Sequence, residues 1–275
     1  MKNISTVLVL LLGIMVQSQN NTTFSLLGSN QTGVTFNNEL VDSKDQNILI
    51  YSNFYGGSGV GVGDFNNDGL IDLYFAGNLV GDKLYLNLGN FKFRDATESA
   101  GLDLDDSWST GVTVADVNAD GLLDIYVTKE LYDHQPDRRK NKLYINKGNA
   151  VFTEMALQYG VADTERSRHA TFLDYNNDGY LDLFVLNQPP NTCSYSEYSG
   201  TKLLLNKYSS RLYESVNGKF FKDVTEAAGL KKAGFPNGVS ASDLNNDGWT
   251  DLYVANDFYA CLLYTSDAAD DVSTV

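Results

Sequence analysis

Hydrophobic residues in this chain gather in short runs of β-formers, broken by Gly, Asn and Asp, and the same order of runs returns along the sequence. A small apolar run comes first, as at residues 59–63 and 111–115. An acidic turn follows, then a run apolar at every position: Leu73-Tyr74-Phe75, Ile125-Tyr126-Val127, Leu183-Phe184-Val185 and Leu252-Tyr253-Val254. Continuous apolar runs suit strands covered on both faces. A third strand is expected at residues 83–87, 142–146 and 202–206, and a fourth beginning at Phe91, Val151 or Phe220. Between them stand Gly89-Asn90, Gly148-Asn149 and Asn217-Gly218, residues that tolerate the left-handed backbone of tight hairpins. Each unit closes on small residues, as at 96–102 and 224–230.

The pattern predicts an all-β fold: a β-propeller of four-stranded antiparallel blades, about four of them, in an incomplete array. Residues 24–36 echo the end of a unit without its beginning, so this lone segment is expected to complete a final blade in a closed ring.

The acidic turns carry the chemistry. They begin at Asp64, Asp116, Asp174 and Asp243, spaced 52, 58 and 69 residues apart. In each, oxygen side chains fall at positions 1, 3, 5 and 9 around a Gly at position 6. The candidate ligands are Asp64, Asn66, Asp68 and Asp72; Asp116, Asn118, Asp120 and Asp124; Asp174, Asn176, Asp178 and Asp182; Asp243, Asn245, Asp247 and Asp251. Position 7 adds the backbone carbonyl of Leu70, Leu122, Tyr180 or Trp249. This is the oxygen spacing of a Ca²⁺ loop, and up to four Ca²⁺ ions are expected, one per loop. Mg²⁺ suits a crowded carboxylate loop less well, and softer metals are disfavoured because no His or Cys lies in any loop. An EF-hand would need flanking helices and a Glu at position 12, where this chain has Phe75, Val127, Val185 and Val254. The loops therefore read as staples for strands. The apolar residues at position 2 (Phe65, Val117, Tyr175, Leu244) are expected to anchor them in the core.

A net charge of -15 argues against nucleic acid or an anionic membrane surface as partner. Residues 1–18 read as a secretory signal, with Lys2 before an apolar run too short to span a bilayer. The expected location is secreted, periplasmic or cell-surface, with no membrane insertion after cleavage. From Cys261 the chain resembles a translated transposase sequencing adapter, so residues 19–260 are read as the propeller and 261–275 as a non-native tail. That leaves Cys193 alone and no disulfide framework.

Two longer connections, at 132–140 and 188–200, are candidate binding loops on the scaffold. His134 and His169, the only histidines, are expected at the surface rather than as catalytic bases.

The repeated stretch at 64–74 resembles the FG-GAP/VCBS repeats of integrin α-type propellers. Together with residues 83–87 and 93–102, it is similar to exported proteins carrying an ASPIC/UnbV module, the cartilage acidic protein group. The resemblance implies a seven-bladed, Ca²⁺-loaded propeller that binds an extracellular protein or glycan and performs no catalysis. About four blades are present, and the ASPIC/UnbV module is absent from the sequence. A Ca²⁺-dependent carbohydrate-active enzyme of the polysaccharide lyase kind is the alternative, and loss of activity in His169→Ala would mark it.

Overall fold

A computed structural model of the chain describes residues 23–102, 105–132, 134–190, 208–257, 260–266 and 273–274. The leader at 1–18, Cys193, the third-strand candidate at 202–206, most of the 188–200 connection and residues 267–272 lie outside the described residues.

The described strands form four antiparallel sheets of four, each in simple chain order. The first holds β1 (Val60–Gly63), β2 (Asp72–Phe75), β3 (Lys83–Asn87) and β4 (Phe93–Asp95). The second holds β5 (Trp108–Ala115), β6 (Asp124–Glu130), β7 (Lys142–Asn146) and β8 (Phe152–Glu154). The third holds β9 (Arg166–Leu173), β10 (Asp182–Gln188), β11 (Arg211–Ser215) and β12 (Phe221–Asp223). The fourth holds β13 (Phe235–Ser242), β14 (Asp251–Asp257), β15 (Leu262–Tyr264) and β16 (Ser273–Thr274). The first strands pack in succession, β1 on β5, β5 on β9 and β9 on β13. The sheets thus stack as propeller blades in an arc that is not closed. β15 takes three residues of the tail read as non-native. Its Leu262-Leu263-Tyr264 run pairs with Leu252-Tyr253-Val254 of β14 and carries the β propensity that a third strand needs.

The core is a series of layers between blades. Phe65, Tyr74 and Leu84 of the first blade pack with Ile125, Tyr144 and Phe152 of the second. Val117, Tyr126 and Leu143 meet Leu183, Tyr213 and Phe221, and Phe184 and Leu212 meet Leu252, Val254 and Tyr264. β6 and β10 are buried at every position, which is why their central runs, Ile125-Tyr126-Val127 and Leu183-Phe184-Val185-Leu186, are apolar without alternation.

One strand differs from expectation. The third strand of the third blade is Arg211–Ser215, not 202–206. Hairpin spacing decides it: β3 ends at Asn87 and β4 begins at Phe93, β7 ends at Asn146 and β8 begins at Phe152, and only a strand ending at Ser215 stands equally far from Phe221. The fourth strands also begin slightly later than read. Phe91 stays in the turn with a φ of 56° and is exposed.

The segment before the first blade joins none of the four described sheets, so the final-blade role expected of residues 24–36 is not seen in the open arc. α1 (Ser29–Thr32) ends at Gly33, whose φ is 78°. A Cβ there would lie 2.5 Å from the Phe93 carbonyl oxygen. Gly101 and Gly160, which close the first and second blades, stand in the same way on the carbonyls of Phe152 and Phe221. Only glycine combines this left-handed backbone with so close an approach. Gly33 therefore rests on the first blade as each blade-closing glycine rests on the next.

Candidate functional site

All four acidic loops join the first strand of a blade to its second, so they share one end of the stack. Their internal bonding repeats closely. In the first, the Asp64 carboxylate accepts the N–H groups of Asp68 at 3.0 Å and Gly69 at 2.7 Å. Asn66 accepts the same Asp68 N–H through its side-chain oxygen and donates its amide to Asp68 Oδ2 at 2.9 Å. Asp68 Oδ1 accepts Leu70 N–H at 2.8 Å. Asp116, Asn118 and Asp120 repeat the set, as do Asp174, Asn176 and Asp178, and Asp243, Asn245 and Asp247. Leu122, Tyr180 and Trp249 are held at position 7 as Leu70 is. Position 6 is left-handed in every copy, with φ from 84° to 90°, which is why it is Gly.

The position-9 Asp turns inward and is buried in all four loops. Asp72 Oδ2 accepts Phe65 N–H at 2.9 Å and Oδ1 accepts Asn87 N–H at 2.7 Å, which locks the loop to the end of the third strand. Asp124 pairs likewise with Val117 and Asn146, and Asp182 with Tyr175 and Ser215. Burial, with added repulsion from Asp120 and Asp116, pushes the Asp124 carboxyl up to about 7; burial and the charges of Asp178 and Asp174 push Asp182 to about 6. Asp72 is raised by the same causes. In the fourth loop, Asp251 Oδ2 accepts Leu244 N–H, but Oδ1 is buried with no hydrogen-bond partner among the described residues.

The loops also tie each blade to the next. Phe65 carbonyl accepts Asn146 Nδ2 at 2.8 Å and Ala150 N–H at 3.1 Å, both from the second blade, and the Phe65 ring meets Phe152 edge-on at 5.9 Å. Val117 is buried against the third blade, and Tyr175 packs partly buried against the fourth. Leu244 packs against no further blade among the described residues and is 54% exposed. Its expected anchoring therefore fails for want of a neighbour. The third and fourth loops touch directly, Asn177 Nδ2 donating to the Gly248 carbonyl at 3.1 Å.

The donor set in each loop is all oxygen, as a hard cation requires. Among the described residues, however, no three acidic, His or Cys side chains gather on one point as metal ligands would. The carboxylates here spend their oxygens on the loop's own N–H groups.

Two features at the other end of the blades are not foreseen by the motif. Glu130, fully buried, is bound by Arg166, by Arg168 at 2.7 Å and by the Tyr51 hydroxyl at 2.6 Å. Burial opposes its charge, but the two guanidiniums outweigh that and hold its carboxyl below the usual range. Beside it Tyr51, Phe54 and Trp108 form a separate aromatic cluster. No fixed spacing links these residues, so only a signal as weak as charges flanking strand ends existed in the sequence. His134 is exposed as expected. His169 is half-buried on β9, against Gly111, and burial lowers its pKa. It is a packing residue between first strands rather than a surface one.

Residues 64–127 and 133–185 match the family model described as FG-GAP-like repeat. Cartilage acidic protein 1 of Homo sapiens is 26% identical over 212 residues, covering 74% of this chain and 29% of its own length. Its Xenopus tropicalis counterpart is 24% identical over 229 residues, covering 79% and 33%. The chain thus spans a third or less of these relatives. Among solved structures, the V. cholerae biofilm matrix protein Bap1 is 15% identical with a TM-score of 0.40, over 81% of this chain and 30% of that one. A putative exo-β-1,3-galactanase from Bifidobacterium bifidum is 11% identical with a TM-score of 0.44, over 79% and 70%.

Proposed function

This chain carries FG-GAP-like repeats, and from that premise we propose that it is an exported, non-enzymatic interaction module whose blades are stapled by Ca²⁺ and which binds an extracellular protein or glycan. The observation that supports it best is the fourfold recurrence of one loop bonding pattern on one end of the blades. A polar hairpin needs no such repetition of Asp, Asn, Asp and Asp at fixed positions. The side chains at positions 1, 3, 5 and 9 and the carbonyl at position 7 would hold the ion, and its charge would offset the clustered carboxylates. Four ions would cancel eight of the twelve loop charges and leave about -7 on the chain, a moderate value for a soluble protein.

The first three loops also fasten a blade to its neighbour, so an ion there would stiffen the scaffold and contribute no chemistry of its own. Interaction is favoured over catalysis because His169 is committed to packing. The test is a pair of thermal melts, with excess Ca²⁺ and with EGTA. An ion bound only by the folded state at 100 times its Kd stabilises by about 2.7 kcal/mol per site, so Tm should fall by many degrees on chelation. Identical melts would remove the structural-metal reading.

A further inference from the structure

We propose that the third and fourth acidic loops take up Ca²⁺ as a coupled pair, with Asn177 as the positioning residue that links them. The proposal rests on the Ca²⁺ reading above and adds a regulation that the repeated motif alone does not carry.

The link joins the ligand runs of the two loops. Asn177 holds position 4 of the third loop, between the candidate ligands Asn176 and Asp178, and its Nδ2 donates to the Gly248 carbonyl at 3.1 Å. Gly248 holds position 6 of the fourth loop, between Asp247 and the Trp249 carbonyl. Both ends of this bond are fixed from within their own loops. The Asp178 N–H is accepted by Asp174 and by Asn176, each at 3.1 Å, and the Gly248 N–H by Asp243 at 2.9 Å. Asn177 and Gly248 are both left-handed, with φ of 55° and 90°. A shift of either turn therefore displaces ligands of its own loop and pulls on the other.

The first two seams are built differently. Between the first and second blades, Asn146 and Ala150 bond to the Phe65 carbonyl, at position 2 and outside the run from position 3 to position 7. Among the described residues Asn67 makes no bond to the second loop, and Ala119, at position 4 of the second loop, has no amide to offer the third.

The fourth loop also keeps an oxygen in reserve. Asp251 Oδ1 is buried with no hydrogen-bond partner among the described residues, whereas Asp72, Asp124 and Asp182 each commit Oδ1 to a backbone N–H. An orphaned buried carboxylate oxygen fits a loop that takes a cation.

Two opposing effects set the sign of the coupling. Each loop holds three Asp side chains, so one Ca²⁺ leaves a single negative charge, and filling one loop weakens the field that draws an ion to the other. That field is screened over about 8 Å at physiological salt. Ordering acts the other way and is not screened. An ion that fixes one turn fixes the Asn177 bond, so the second ion meets a loop already partly ordered, and by linkage the help is mutual. The bond is exposed, so its share is the net worth of one ordinary hydrogen bond, about three- to tenfold in affinity.

Tb³⁺, a hard stand-in for Ca²⁺, reads the fourth loop separately, because a nearby indole sensitises its emission. Of the two tryptophans, Trp249 stands in that loop, and Trp108 opens β5 at the opposite end of the blades. The chain is titrated with Tb³⁺ under indole-selective excitation, Ca²⁺ is added to displace it, and melts in EGTA show which variants fold. Asn177→Gly deletes the amide and suits the left-handed backbone. Asp174→Asn with Asp178→Asn empties the third loop and removes the two charges that a bound Ca²⁺ would offset. Each should weaken Tb³⁺ at Trp249 about three- to tenfold, at high salt as well as low, and combining them should add nothing to the emptied loop alone. Should the emptied loop not fold, Asn177→Gly and Asn177→Asp, which turns the donor into an acceptor, decide. Unchanged affinity in the folded variants, losses that add in the combined one, or a shift that vanishes at high salt each overturns the coupling and leaves the Ca²⁺ reading standing. No saturable Trp249 signal that Ca²⁺ displaces would remove the coupling and the ion at the fourth loop together.

Discussion

At the scale of single residues, Glu130 is a fully buried charge held by three partners. A carboxylate with no exposure is tolerable only because Arg166, Arg168 and Tyr51 surround it. Removing its charge with Glu130→Gln leaves two guanidiniums facing each other, and breaking a buried pair in this way typically costs about 3–5 kcal/mol. The pH dependence has a definite sign. The folded-state pKa of Glu130 lies below its unfolded value of about 4.3, so its contribution is complete above that pH and is lost as pH falls through the folded pKa. Asp105 behaves alike: burial opposes it, Lys129 and Ser107 overcome that, and its pKa near 2 puts the loss between about pH 4 and pH 2. Urea unfolding of wild type and Glu130→Gln from pH 7 to 2.5 should show the gap between them closing as acid is added. A gap that stays constant to pH 2.5 would mean that the Glu130 charge is not what stabilises the fold.

At the scale of elements, the acidic loop is where sequence and structure agree most closely, and its second copy carries a flaw. Position 4 is left-handed in every copy: Asn67, Asn177 and Asn246 at 58°, 55° and 62°, and Ala119 at 57°. Asn visits this region readily, whereas an alanine there is strained by roughly 1–2 kcal/mol. Ala119→Asn should therefore stabilise the chain by about 0.5–1 kcal/mol, visible as a higher Tm in EGTA as well as in Ca²⁺. A lower Tm in both would mean that the alanine is held for its packing. The strands and loops were readable because their signals are local: alternation of β-formers, Gly at the left-handed position, Asp at fixed offsets. Arg211–Ser215 was missed because the insertion before it displaced the expected strand, and only the distance to Phe221 restores the right choice. The position-9 Asp is locked by the backbone N–H at the end of the third strand, from Asn87, Asn146 or Ser215, a contact that depends on the folded hairpin and on no particular side chain. Tyr51, Glu130 and Arg166 come together from three separate parts of the chain, a juxtaposition that no short-range pattern encodes.

At the scale of the whole molecule, blades cover one another in series, so stability is distributed as in a repeat array. The middle of the arc is closed on both sides: β6 and β10 have no exposed residue. The ends are not. Val60 and Val62 of β1 are more than half exposed, Leu244 is 54% exposed, and Asp251 Oδ1 has no donor among the described residues. Local opening should therefore begin at the two ends and reach the middle last. Native-state hydrogen exchange should rank the amides of β6 and β10 as slowest and those of β1 and β14 as fastest among the second-position and first-position strands. If the loops hold Ca²⁺ as proposed, EGTA should lower protection most where a loop fastens two blades, at Asn146 and Ala150 beside Phe65, because such an ion would stabilise the turn that the neighbouring hairpin also holds. If β14 exchanged as slowly as β10, the fourth blade would owe its stability to contacts other than those between blades. The layered core would then not be the unit that sets the chain's cooperativity.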